Sequence, residues 1–510
     1  MRKILIVVVA VAVLAGGAWY LYLAASLDNA LAHLPPGWTA KYAALDIAPA
    51  QRTATLTGLV LHYEPPPGVD ITVGEIVIEN PSLTITDDWA KATANPASLD
   101  PATAIPLADA LTIRDVKGQF GGNKLVLASV REEKLVLYPW ALTRPGGPGL
   151  EALPLFASAN AAAPPDPAKL AANIRLQAAG LLALGYGRAV SEGLDVSVDV
   201  PATDQIPETK FHESFRKAEG AGMERGVIGP TEVEGIDASV GNLGGTSIDR
   251  MELGAFDVRE PAIRLLNGAV PDVALLDQAK LGRFAMSGVT SRPPKGAPIT
   301  IGGFAVSDIA FAEGKPISGK VTIDQVHLIA DQIPDASARE VFEKLGLDQV
   351  TVSFSAAYNW DPAAKHLTLH DTSLSSDELG ALDLGAEALD VTVGPDWLKT
   401  ARLGHAVLHY RDHSLVERAF AYAAGGPGSD TAALRQQAIT WITMGTMLFP
   451  GDTAIATASN QLAAFFKDPK ALTIEISPDP PIGLAEIYGN GGMPPPGIGK
   501  RLGLVVTANP

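Results

Sequence analysis

The sequence of 510 residues contains no cysteine. That excludes disulfides, iron–sulfur clusters, thiolate zinc sites, cysteine nucleophiles and a lipidated N-terminal cysteine. Positive charge is scarce: 39 Lys and Arg stand against 56 Asp and Glu, a net charge of −17. A general nucleic-acid binder is excluded, because neutralising phosphates needs clustered cations. Charged residues make up only 19% and apolar residues 47%, the reverse of a mostly disordered chain. Beyond the N-terminus no hydrophobic run reaches spanning length, and 439–449 (ITWITMGTMLF) is too short. Glycine and proline are plentiful, 50 and 39 residues, which favours turns and short strands over long helices.

Arg2 and Lys3 precede an uncharged, mostly apolar run, Ile4 to Leu27. As a helix it extends roughly 36 Å, enough to cross a hydrocarbon layer with some tilt. Trp19, Tyr20 and Tyr22 lie toward its far end, where amphipathic rings favour the interface. The positive-inside rule puts the N-terminus in the cytoplasm and the body, from Asp28 onward, across the membrane. Gly16-Gly17-Ala18 also fits a cleavage site, and a cleaved signal peptide is the rival reading. Either way the body is exported, most simply to a bacterial periplasm, and the anchored form sits in the inner membrane through residues 4–27.

Most of the body reads as strands. Thr53–Tyr63, ITVGEIVIE and PSLTIT within Asp70–Thr86, and Lys124–Leu137 around a charged turn at Arg131–Lys134 alternate apolar and polar residues. Similar runs cover Gly193–Val200, Val233–Leu243, Ile248–Leu266, Ile299–Phe311, Gly319–Ile329, Gln349–Trp360, His366–Leu374, Leu382–Val393 and Arg402–Tyr410. Their short spacing, with Gly, Pro and Asp turns, predicts antiparallel meanders rather than βαβ units. Leu253–Val258, Leu281–Met286 and Ile301–Val306 share the form [LI]-G-x-F-x-[VM], with Leu379–Leu384 a weaker copy. The glycine suits a bulge or a close approach of strands, and chance recurrence in a glycine-rich β protein is the alternative. The expected fold is mainly β with minor α. Its parts are an anchor (1–27), an N-terminal β region (28–160), a linker or mixed region (161–230), a repeated meander (231–411) and helices with terminal strands (412–510).

Helices are confined and well punctuated. Ser337–Glu340 and Ser414–Glu417 read as capping boxes, and Asp430 opens a longer helix with Leu434, Ala438, Trp441, Ile442 and Gly445 on one stripe. A third helix carries Ile455, Ala458, Leu462, Phe465 and Phe466 and stops at Pro469. Trp441, Met444, Met447, Phe449, Phe465 and Phe466 form a candidate apolar surface for lipid or a partner. The plainer reading is the face that docks these helices on a sheet.

Catalytic signals are weak. His366 and His370 are four apart, as are His405 and His409, with His413 four further on. On strands that spacing spans about 13 Å, too far for one metal ion, although one histidine from each strand would meet if the two strands paired. Ser214-Phe-Arg-Lys217 has a bare S-x-x-K form without its companion motifs. No catalytic residue, metal ligand or cofactor is therefore expected.

A short anchor leads into meanders that include Lys344-Leu-Gly-Leu-Asp-Gln-Val-Thr-Val-Ser-Phe-Ser, Trp360-Asp-Pro, His366-Leu-Thr-Leu and Leu379-Gly-Ala-Leu-Asp-Leu, with Tyr138-Pro-Trp140 upstream. Over about residues 230–410 this arrangement resembles bacterial envelope proteins of the AsmA-like and YdgA-like kind. The resemblance implies an inner-membrane anchor, a periplasmic β-rich body and phospholipid handled in an apolar groove. It brings no catalytic residues. The expected function is accordingly a non-enzymatic envelope-biogenesis protein that binds phospholipid on an apolar sheet face. The alternatives are a scaffold contacting other envelope proteins and a periplasmic hydrolase.

Overall fold

The computed structural model describes residues 37–510 apart from 66–67, 83, 144–166, 201, 203–208, 270–271, 334, 393–396 and 489–496, together with Leu31 and Leu34. The expected anchor at 4–27 and the Ala/Pro-rich segment 161–166 lie outside the described residues. Among the described residues no helix is long and apolar enough to cross a membrane. The chain divides into two compact units, one ending at Phe284 and the other beginning at Ala285. Both are mainly β and antiparallel.

In the first unit, β1 (Trp38–Lys41) and β2 (Ala44–Ala48) pair side by side with β3 (Thr53–Tyr63). The sheet then runs in sequence order through β4 (Val69–Glu79), β5 (Ile105–Phe120), β6 (Asn123–Leu137), β7 (Arg188–Val200), β8 (Thr209–Gly220), β9 (Thr231–Val240) and β10 (Gly245–Leu253). The alternation read from sequence selects its faces. Leu56, Ile76, Ile113 and Val130 stand opposite one another across four strands, and all are buried. Over this face pack helix α1 (Ile85–Thr93) with Trp89, α2 (Pro167–Ala183) with Ala178, Ala179 and Leu182, and α3 (Arg259–Leu266) with Ala262 and Leu266. The other face is a ladder of ion pairs: Arg114–Glu75, Arg131–Glu79 at 2.7 Å, Arg188–Glu219 at 2.6 Å and Arg250–Glu232 at 2.9 Å. Opposite charges on facing strands support the register while leaving that face wettable.

The second unit is also a meander. It comprises β11 (Ile299–Ala312), β12 (Lys315–Ile329), β13 (Gln349–Asp361), β14 (His366–Ser376), β15 (Gly380–Leu389), β16 (Arg402–Asp412), β17 (Ala471–Ile476) and β18 (Val505–Ala508), each antiparallel to the next. Helix α4 (Ala336–Lys344) lies between β12 and β13. Helices α5 (Leu415–Ala423), α6 (Ala432–Gly445) and α7 (Thr453–Lys467) lie between β16 and β17. Bulges recur along the strands. Gln325 and Asp371 have φ of 52° and 48° at register shifts of β12 and β14, which bend these strands and carry the face alternation across the extra residue.

Several elements differ from the expectations. The end of the expected strand PSLTIT, Ile85 and Thr86, instead opens the helix Ile85–Thr93, which has Asp87 and Asp88 in its first turn, where acids complement the helix dipole. Arg131–Lys134 is no turn: β6 continues through it, Arg131 pairing with Glu79 and Glu133. The expected strand Ile248–Leu266 ends at Leu253 and is helical from Arg259. Within the expected linker or mixed region, 161–230, β8 forms a full strand between β7 and β9. The first two glycine motifs meet each other: Gly254 N donates to Arg283 O at 2.5 Å, and a Cβ on Gly254 would lie 2.5 Å from Arg283 N. The other two lie inside β11 and at the start of β15, so the motif does not mark a repeating unit.

Caps are also reassigned. Asp335, not Ser337, caps α4 by accepting from Ala338 N at 2.8 Å. Asp452, 7% exposed, caps α7 through Ala454 N and Ile455 N and also accepts from Gly499 N at 2.8 Å. Asp452→Ala removes the cap and leaves these buried donors unpaired. It should destabilise the second unit by about 2 kcal/mol, read from the shift in its urea unfolding midpoint.

Candidate functional site

The register of the second unit assembles an apolar surface that no single strand displays. Phe304, Ile323, Phe354, Leu374, Leu382, Tyr410, Leu472 and Ala508 face one another in turn across eight strands. A second row on the same face holds Tyr358, Leu369, Ala386, Ala406 and Ile476, and a third holds Trp360, Leu367, Ala388 and Leu403. The opposite face is hydrophilic: Thr322, Ser355, Ser373, Asp383, His409, Thr473 and Thr507 form the neighbouring row.

Cover over the apolar face is partial. Helices α5 and α7 close its β16–β18 end, where Val416, Ala458, Phe465, Leu472 and Val506 are buried with Phe420, Leu462 and Phe466 packed against them. Phe465 meets Tyr410 and Phe466 edge-on, with centroids 5.9 and 5.6 Å apart. The seam is pinned by Asp412, whose Oδ1 accepts from the Tyr410 hydroxyl at 2.5 Å and from Val416 N at 3.0 Å. Burial, with the Asp412 carboxylate adding to it, pushes the Tyr410 phenol above its ordinary range. Away from the helices the row opens. Leu472 is 8% exposed, whereas Phe354 is 36% and Leu374 47% exposed. Two large side chains on the inward-type face of a sheet are thus left to solvent, where a second layer normally covers them.

The residues proposed from sequence as one apolar surface separate into two sets. Phe465 and Phe466 belong to the packed seam. Trp441, Met444 and Met447 point outward and are 65%, 48% and 75% exposed, and Phe449 is half-buried beside them. Trp441 therefore leaves the docking stripe predicted for its helix, because α6 is apolar on both sides and periodicity does not choose between them. The surface that sequence reading missed is the row through Phe354 and Leu374. Its signal was present as alternation, but assembling it requires the register.

No catalytic constellation emerges from the sequence candidates. The strands bearing the histidine pairs, β14 and β16, do not pair with each other, because β15 separates them. His366 lies 3.8 Å from Glu387, His405 lies 3.6 Å from Glu475, and His409 Nδ1 lies 3.0 Å from Thr473 Oγ1. Among the described residues no three His, Asp or Glu side chains gather as metal ligands. An open depression of about 370 Å³ on the hydrophilic face includes Ser355, Ser373, Asp383 and His409. There Ser355 and Ser373 bond each other at 2.8 Å, Asp383 holds Arg411 at 3.4 Å and His409 turns to Thr473. Ser214 and Lys217 lie on β8, where Lys217 pairs with Glu219 at 2.6 Å.

Among known proteins, a family model described as "Uncharacterized protein" matches residues 345–509, wholly within the second unit. No curated protein and no solved structure matches the chain.

Proposed function

We propose that the protein is a membrane-tethered, non-enzymatic lipid-handling protein of a bacterial envelope. In this reading residues 4–27 hold it in the inner membrane and its body lies in the periplasm. The observation that supports it is the apolar row from Phe304 to Leu472, uncovered at Phe354 and Leu374. Acyl chains lying along such a face replace water there, a gain of about 25 cal/mol per Å² of apolar area covered. A fluid ligand suits the surface, because rows of Leu, Phe, Ala and Tyr offer contact area with few fixed polar partners. The resemblance to AsmA-like and YdgA-like proteins read from the sequence over about residues 230–410 would imply the same role. The chain's excess of acid keeps the rest of the body off anionic headgroups.

The test is phospholipid retained by the full chain after extraction in mild detergent, measured by native mass spectrometry. Phe354→Arg with Leu374→Arg should remove most of the bound phospholipid while circular dichroism stays unchanged, since both side chains are already part-exposed. Equal lipid on the wild type and the double variant would refute the assignment.

A further inference from the structure

We propose that helix α6 and the turn after it rest in the interfacial layer of a phospholipid bilayer. This surface is separate from the apolar sheet face. The proposal relies on the tether at 4–27 only to bring a bilayer within reach.

Three observations carry it. First, Trp441, Met444 and Met447 are spaced by three residues and form one outward strip, with exposures of 65%, 48% and 75%. The opposite side of α6, with Leu434, Ala438 and Ile442 half-buried, packs toward α7, so the helix turns large apolar side chains outward as well as inward. In water a surface helix turns polar residues outward.

Second, the strip lies in an acid-free window. Between Asp430 and Asp452 there is no Asp or Glu, although the chain carries 56 in 510 residues. The one cation there, Arg435, is turned away to Glu417 and over the Phe420 ring. The patch thus offers nothing for anionic headgroups to repel, unlike the chain as a whole.

Third, the threonines on this side have their hydroxyl protons engaged within the helix, and the exposed Gln436 and Gln437 lie one turn before Trp441. Thr440 Oγ1 donates to Gln436 O at 2.8 Å, Thr443 Oγ1 to Ile439 O at 2.9 Å and Thr446 Oγ1 to Thr443 O at 2.7 Å. Threonines bonded back to their own helix enter a low-dielectric layer without an unpaired donor. A protein partner would more commonly find polar groups free to bond across the interface. Trp441 supplies the amphipathic ring that settles at the level of the headgroups.

Because the chain has no cysteine, single labels are unambiguous. Met444→Cys and Met447→Cys, each carrying a nitroxide, are examined in the full chain reconstituted in phosphatidylethanolamine–phosphatidylglycerol vesicles, with Ala364→Cys on an exposed turn as reference. The ratio of oxygen to nickel-chelate collision rates should be several-fold higher at 444 and 447 than at 364. Adding Trp441→Asp should bring it down to the reference value with the fold intact by circular dichroism. A chain that floats with the vesicles but shows the reference ratio at 444 and 447 overturns this proposal alone. So does shielding from both reagents, which would mean a protein covers the strip. A chain that does not float overturns the tether and this proposal together.

Discussion

Phe465→Ala should destabilise the second unit by about 3–5 kcal/mol, the cost of emptying a fully packed aromatic site. Phe465 is 3% exposed and lies between the Tyr410 and Phe466 rings. It is the centre of the seam through which α5 and α7 cover one end of the apolar face. The loss should appear as a lowered midpoint in denaturant, with Phe465→Leu recovering part of it. Trp441→Ala, on the exposed side of the neighbouring helix, should leave the midpoint almost unmoved. That contrast separates the packed aromatics from the outward ones, which the sequence alone placed together.

Replacing Glu132 should stabilise the protein, and the gain should depend on pH. Glu132 stands in a row with Ile78, Leu111 and Ala189 on the covered side of the first sheet. Its neighbours Arg131 and Glu133 turn to the ion-pair face, where Arg131 bonds both Glu133 and Glu79. Burial raises the pKa of Glu132, and partial burial raises that of the Tyr186 phenol, with the Glu132 charge adding to it. A raised pKa means that the folded state holds the proton more tightly than the unfolded chain does. Stability therefore falls as pH climbs from the ordinary carboxylate value through the raised one, and the penalty is complete above it. Glu132→Leu should remove that fall. Wild type and variant should differ least near pH 4 and most at neutral pH, by on the order of 1–3 kcal/mol, in unfolding titrations across that range. A constant difference at every pH would show that packing, not the carboxylate, is responsible.

Much of the β architecture was legible because one face of each strand is apolar and the intervals are short. Strands β3, β13 and β16 lie within a residue or two of their expected bounds for that reason. The failures have physical causes. Strand β8 mixes Lys210, His212, Glu213, Arg216 and Lys217 with only two phenylalanines, so its alternation is faint, and its place is fixed by pairing with β7 and β9. The charges at 131–134 resembled a turn because their partners, such as Glu79, lie far away in sequence. The apolar rows of the second unit were hidden for a related reason. Bulges at Gln325 and Asp371 each insert one residue, so a simple period of two does not follow the same face along the whole strand. The division of the aromatic and methionine residues between seam and surface depends on how α6 is rotated, and an apolar helix leaves no sequence trace of that.

The central claim is that lipid occupies one side of the second sheet and not the other. A photoreactive phenylalanine analogue placed at Phe354 or Leu374 tests the apolar side, and at Ser375 or Asp383 the hydrophilic side one residue away. Irradiated in cells and analysed for phospholipid adducts, the first pair should crosslink and the second pair should not. Adducts at neither pair, or equal yields from both, would contradict the account.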